Sequence, residues 1–124
     1  MKLEVGMYIR TKDGIIARIK EIDNNERLYL NQKSIYTDDY KHDLIIDYEV
    51  IKASYNIIDI LEVGDYVNGK KIVDVGCLTN GPRKGTKVID YYITPSAVCY
   101  LENEDIKSIV TKEQFENMEY RIGE

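Results

Sequence analysis

Leu3-Glu4-Val5-Gly6-Met7-Tyr8-Ile9 returns as Leu61-Glu62-Val63-Gly64-Asp65-Tyr66-Val67, with five of seven positions identical and Ile9 exchanged for Val67. A strand-opening phrase repeated half a chain later describes one small β unit used twice. At 124 residues the chain is one ordinary domain or two very small ones. A unit of about 60 residues buries a modest share of its surface and is marginally stable alone. The repeat predicts units over 1–60 and 61–124. Ile60 runs straight into Leu61 with no linker, so the units are expected to pack together, with a strand continuing through the boundary.

Period-two patterning supports β structure in both halves. Val5, Met7 and Ile9 alternate with Tyr8 and Arg10, a period of two that predicts a strand over 5–11. Lys12-Asp13-Gly14 reads as a hairpin turn, and Ile15–Ile22 as the returning strand. After a turn at 23–26, short strands are expected at 27–30, 34–37 and 44–51, with Asp38–Asp43 a polar connection. Ala53–Asn56 is a tight or 3₁₀ turn, and 57–61 a closing strand. In the second unit Asn68-Gly69 is the strongest hairpin signal. Strands are expected at 71–78, 88–93, 97–101 and 106–110, with turns at 94–96 and 103–105. Thr111-Lys112-Glu113-Gln114 matches a capping box and opens a helix over 112–118, followed by a strand at 119–122. This outline predicts a mainly β protein: two tandem SH3-like small β-barrels with a short helix near the C-terminus. Such barrels bury alternate positions and protect their edges by closure.

Composition removes several classes. The net charge of −5 and pI near 5.0 argue against a broad phosphate-binding surface, which needs a basic stripe. They suit solubility, or a basic partner protein. No apolar run approaches the roughly 18 residues of a membrane span, and charges at Glu4, Arg10, Lys12 and Asp13 interrupt any leader. The expectation is a cytoplasmic protein whose thiols, Cys77 and Cys99, sit packed and inert in apolar strands without bridging. With one histidine, His42, no zinc-type ligand set can be assembled, and the 38–43 acids miss the calcium-loop spacing. No metal, cofactor or catalytic group is therefore assigned, and the chain is not expected to be an enzyme.

Two groups of residues remain as candidates for binding. Arg83, Lys84 and Lys87 lie in the Gly- and Pro-bounded loop 79–87, whose backbone amides can approach an anion. The spacing is not that of a P-loop, because three residues separate Gly81 from Gly85 and Thr86 precedes Lys87. The same loop also reads as a solvated hairpin tip. The second group is acidic and aromatic: Asp38, Asp39, Tyr40, Asp43, Tyr91, Tyr92, Tyr100, Glu102, Glu104 and Asp105. Eleven tyrosines stand against one phenylalanine and no tryptophan. Tyrosine is enriched at protein interfaces and stacks on bases, yet it also fills half-buried strand positions for propensity alone.

The stretch Asn56–Gly69, with Leu61-Glu62-Val63-Gly64-Asp65-Tyr66-Val67-Asn68-Gly69 at its heart, and the tail from Ile106 to Glu124 resemble a family of small proteins encoded by phages and prophages of clostridia and related Gram-positive bacteria. The resemblance covers about half the chain and leaves 26–50 and 79–100 unmatched. It implies a context rather than a site. Small acidic phage accessory proteins are often inhibitors of host immunity, some blocking CRISPR effectors and others sequestering nucleotide signals. The expected function is thus a non-catalytic inhibitor that docks its acids and tyrosines on the basic channel of a host immune effector. The alternative is a nucleotide or nucleic-acid binding module using the 79–87 loop and a stacking tyrosine.

Overall fold

Gly6 and Gly64 adopt φ of +93° and +99°, a region that side chains with a Cβ rarely enter. Each sits in a tight turn closed by the residue after it, Met7 N–H to Glu4 O (3.2 Å) and Asp65 N–H to Glu62 O (3.1 Å). Each glycine N–H then donates to a strand carbonyl, Gly6 to Ile19 (2.8 Å) and Gly64 to Ile72 (3.0 Å). The same two strand residues return a bond, Ile19 N–H to Met7 O and Ile72 N–H to Asp65 O, both 2.8 Å. The repeated wording therefore encodes a repeated hydrogen-bond circuit, with Ile72 standing where Ile19 stands.

The computed structural model describes residues 2–24, 28–31, 41–43 and 50–118. The chain divides into two compact units, Met1–Ile60 and Leu61–Glu124. In the first, β1 (Tyr8–Thr11), β2 (Ile16–Ile22), β3 (Leu28–Asn31), β4 (Lys41–Asp43) and β5 (Val50–Ser54) form an antiparallel sheet ordered β4-β3-β2-β1-β5. Its core is Ile9, Ala17, Ile19, Leu28, Leu30 and Val50, with Leu3, Met7, Ile22 and Ala53 packed around it. Ile19 and Ile22 differ in parity yet both join this cluster. A β-bulge between Ile19 and Glu21 shifts the register, pairing Ile19 with Leu30 and Ile22 with Leu28.

In the second unit, β6 (Tyr66–Val67), β7 (Lys70–Cys77), β8 (Lys87–Thr94), β9 (Ala97–Leu101) and β10 (Ile109–Val110) form an antiparallel sheet ordered β10-β6-β7-β8-β9. Counted within each unit, both sheets read fifth-first-second-third-fourth. The β7 bulge falls between Ile72 and Asp74, one step after the residue equivalent to Ile19. Leu61, Val67, Ile72, Val88 and Ile89 are buried. Asn68 (φ +52°) and Gly69 (φ +79°) make the left-handed pair of the β6–β7 hairpin. The Asn68 side chain also holds the segment before β10: its Nδ2 donates to Asp105 O (2.8 Å), and its Oδ1 accepts from Lys107 N–H (2.8 Å) and Ser108 N–H (3.1 Å). Among the described residues no ladder joins the first edge of either sheet to its last. The architecture is mainly β, with one short α-helix, α1 (Lys112–Met118).

The capping box forms in both directions, Gln114 N–H to Thr111 Oγ1 (3.3 Å) and Thr111 N–H to Gln114 Oε1 (3.1 Å). Asp65, fully buried, adds a third clamp: its Oδ2 accepts from Glu62 N–H (2.7 Å) and its Oδ1 from Lys112 N–H (3.0 Å). The first unit has Met7 at that place, and its counterpart of α1 is the 3₁₀ turn Ile57–Ile60, capped by Asn56 through Ile58 N–H (3.1 Å). The two units cover their equivalent glycines differently. Tyr55 lies over Gly6 and donates to Glu4 (2.6 Å), whereas Lys112 lies over Gly64 and pairs with Glu62 (2.7 Å).

Several local expectations change. The strand expected at 57–61 is that 3₁₀ turn, because Ser54 and Asn56 side chains accept local N–H groups and curl the chain; no strand runs through 60–61. Lys41–Asp43, expected in a polar connection, is the strand β4 paired with Tyr29–Asn31. Residues 106–108 are not strand, because Ile106 N–H donates to Asn103 O (3.3 Å) and Asn68 Oδ1 takes the N–H groups of Lys107 and Ser108. Asn103–Asp105 tightens into a 3₁₀ turn. Arg10, which alternates with the apolar residues of β1, is fully buried and donates through Nη1 to Ile60 O (3.1 Å) at the end of the 57–60 turn, where carbonyls lack helical partners. The expected strands at 34–37 and 119–122, and 44–49 of the one at 44–51, lie outside the described residues.

Candidate functional site

The 79–87 loop is held by its own backbone. Leu78 N–H donates to Thr86 O (2.9 Å) and Gly85 N–H to Leu78 O (2.8 Å), while Lys84 and Thr86 N–H donate to Gly81 O (3.2 Å) and Arg83 O (3.1 Å). These four amides are directed at carbonyls of the loop itself rather than converging on an outside anion. Arg83 Nη1 donates to Glu102 Oε2 (2.6 Å), its Nη2 lies against Glu102 Oε1, and Glu104 approaches at 3.8 Å. Glu102 is buried while Arg83 is half exposed. Two residues from opposite candidate groups, one basic and one acidic, thus form an internal pair that pins the loop beside the end of β9. Lys84 is exposed on the loop, and Lys87 opens β8 opposite Cys77.

Of the acidic and aromatic candidates, Asp38, Asp39 and Tyr40 lie outside the described residues. Asp43 occupies the β4 register position opposite Tyr29. Asp105 closes the 103–105 turn by accepting Glu102 N–H (2.9 Å). Tyr91, Tyr92 and Tyr100 come together on β8 and β9 but not on one face. Tyr91 pairs with Ile72 and Cys99, with Lys70 Nζ 5.2 Å from its ring centre. A hydrogen bond with Cys99 holds its phenol above the ordinary range, with burial and the nearby Cys99 and Asp105 adding to the effect.

The other face is the informative one. Directly paired residues of an antiparallel sheet share a face, and so do residues two apart. The pairs Asp74↔Asp90, Asp90↔Tyr100 and Tyr92↔Val98 therefore line up Asp74, Asp90, Tyr92, Val98 and Tyr100 on the outward side. Tyr92, Val98 and Tyr100 are 57%, 55% and 44% exposed. Burial, and then the facing Asp74, push the Asp90 carboxyl above its usual range. Asp74 and Asp90 were missed by sequence reasoning. Matching the ladder registers of the two units sets Ile72-Val73-Asp74 on Ile19-Lys20-Glu21, which puts Asp74 in the place of the acid Glu21, while Asp90 takes the place of Tyr29.

Cys77 is exposed and Cys99 half-buried, both as free thiols. This corrects the expectation of two packed cysteines: β7 outruns its core after Ile72, and its last two residues stand in solvent. Among the described residues no three His, Cys, Asp or Glu side chains gather as a metal site, and no helix is long and apolar enough to cross a membrane. A hollow of about 290 Å³ in the first unit, lined by Val5, Gly6, Arg18, Ile19 and Lys20, lies just below the size of ordinary ligand pockets, about 300–1,000 Å³. No family model, curated protein or solved structure matches this chain.

Proposed function

We propose that the chain is a non-catalytic binding protein of phage origin that inhibits a bacterial defence system from within the host cytoplasm, docking on a basic surface of an immune effector as anti-CRISPR proteins do. We further read each unit as an SH3-like barrel. That reading is supported by the shared strand order and by the helical turn after each fifth strand. The observation that carries the functional reading is the outward face of β8 and β9, where exposed tyrosines and an apolar valine adjoin two facing carboxylates. A face of this kind complements cationic side chains and repels nucleic acid.

The rival reading, a nucleotide or nucleic-acid module on the 79–87 loop, draws less support. Its central cation, Arg83, is neutralised by Glu102, and loop amides are internally bonded. Expressing the chain in a strain with an active CRISPR system tests the proposal. Transformation by a targeted plasmid should recover toward the untargeted level. Unchanged interference, in hosts whose effectors span the known types, would count against it. Nuclease-resistant capture of the effector would separate a protein partner from bound nucleic acid.

A further inference from the structure

β9 reads Ala97-Val98-Cys99-Tyr100-Leu101, without a charge or a proline, and is the last strand of its sheet. Nothing pairs with its outer side among the described residues. The strand in the same topological place of the first unit, β4, reads Lys41-His42-Asp43. Charged edges resist further pairing, while bare, β-prone edges template it. Among the described residues, one edge of this protein is therefore gated and its counterpart is open. The open edge borders the face carrying Asp74, Asp90, Tyr92 and Tyr100, and neither aspartate has an ion-pair partner among the described residues. At the near end of that face the chain's own Arg83 is seated on Glu102, so a guanidinium is already accommodated beside β9.

We propose that β9 and its outward face bind an extended, arginine-bearing segment of a basic partner protein, which joins the sheet as an added strand. This rests on the reading of the chain as a binder of basic protein surfaces. Strands lie about 4.8 Å apart, so Asp90 sits roughly 10 Å from an added strand. An arginine there crosses the Tyr100 ring and brings its guanidinium toward Asp90, with Asp74 one strand further adding to the field. Main-chain bonds along β9 supply affinity, and the alternating arginines supply selection. A second copy fits less well, because each chain carries −5 and pairing edge to edge brings like charge together.

The test uses the full chain, ¹⁵N-labelled, titrated with a capped octapeptide of alternating arginine and valine. Saturable shifts are expected at 97–101, weakening with salt, and absent with the glutamate–valine counterpart. Asp74→Asn with Asp90→Asn, near-isosteric and free of the carboxylate repulsion, should weaken binding about tenfold or more. Val98→Lys, which puts a charge on the edge, should abolish it while leaving the thermal midpoint close to the parent's. Shifts confined to other residues, or affinity indifferent to these variants, overturn the proposal. So does a sedimenting dimer whose β9 signals depend on protein concentration. If the double variant still inhibits host defence as well as the parent, this face is wrong and the broader reading stands. If the peptide binds here yet no defence system is inhibited, the broader reading is what fails.

Discussion

Asp65 is where the repeated phrase changes chemistry, and replacing it should separate the two units' designs. Its fully buried carboxylate accepts Glu62 N–H at 2.7 Å and Lys112 N–H at 3.0 Å, joining the glycine turn to the first residue of α1. Asp65→Ala leaves both donors facing a small void. Hydrogen bonds to a charged acceptor contribute about 1.5–3 kcal/mol each. Part of that loss is offset because the carboxylate no longer has to be desolvated. A net loss of about 3 kcal/mol follows, against the roughly 3–9 kcal/mol available to a unit of about 60 residues. Asp65→Asn keeps one acceptor oxygen and should lose about half as much. Asp65→Met, which installs the first unit's residue, fills the space but accepts nothing and should resemble Ala. Guanidinium unfolding followed by circular dichroism gives the energies, and amide exchange at Glu62 and Lys112 gives the location. A loss below about 0.5 kcal/mol for Ala, or unchanged exchange at Lys112, would refute the assignment of Asp65 as the clamp of α1.

Asn68→Ala removes three side-chain bonds and places a Cβ-bearing residue of poor left-handed propensity at φ +52°; we expect a loss of about 2 kcal/mol and a midpoint lower by roughly 10 °C. Asn68→Gly should recover only the backbone part, and equal midpoints for the two would discount the side-chain bonds. Arg83→Ala strands the buried Glu102 and should cost about 1–2 kcal/mol, with faster tryptic cleavage after Lys84 as the local readout; an unchanged cleavage rate would show that the pair does not hold the loop. Asp90 has a folded carboxyl raised above its ordinary 3.8, so its favourable contribution is present below that value and lost as pH rises through the folded one. Asp90→Asn should therefore stabilise the chain at pH 7 by about 0.5 kcal/mol after solvent screening, with no gain at pH 3; a gain of equal size at both pH values would assign the effect to packing instead.

Much of this fold was legible because its signals are local. The Asn68-Gly69 turn needs two left-handed residues and names them. Thr111 and Gln114 announce the start of α1 three residues apart, and the helix spans 112–118 as expected. Strand 97–101 was bounded by Pro95-Ser96 and by the acids after Leu101. What escaped depended on partners far along the chain. Arg10 alternates like an outward residue, and nothing nearby says that Ile60, fifty residues on, offers it a carbonyl. The basic loop read both as an anion cradle and as a solvated tip, and its internal anchor was out of sight because the Arg83–Glu102 pair spans nineteen residues. Asp74 and Asp90 meet only through a bulge, which moves register by one and flips which side chains face each other.

The bulge also makes the two units comparable position by position. After it, the first unit sets Glu21, Tyr29 and Asp43 at consecutive register positions across β2, β3 and β4. The second sets Asp74, Asp90 and Tyr100 across β7, β8 and β9. Both rows comprise two acids and a tyrosine, with the order exchanged. A row needed only for solubility places no demand on its third strand, since charge anywhere on the face would serve. What distinguishes the units is that third strand: Lys41 and Asp43 flank the middle of one edge, whereas Val98 and Tyr100 hold the same positions on the other. Moving the acid inward to Asp90 sets two carboxylates opposite one another, an arrangement that destabilises a sheet, and it leaves the edge strand without a charge, which favours pairing. Each change alone is a liability for an isolated unit. Together they make a strand-accepting edge with negative charge one strand behind it, which is the arrangement that a basic partner would relieve on both counts.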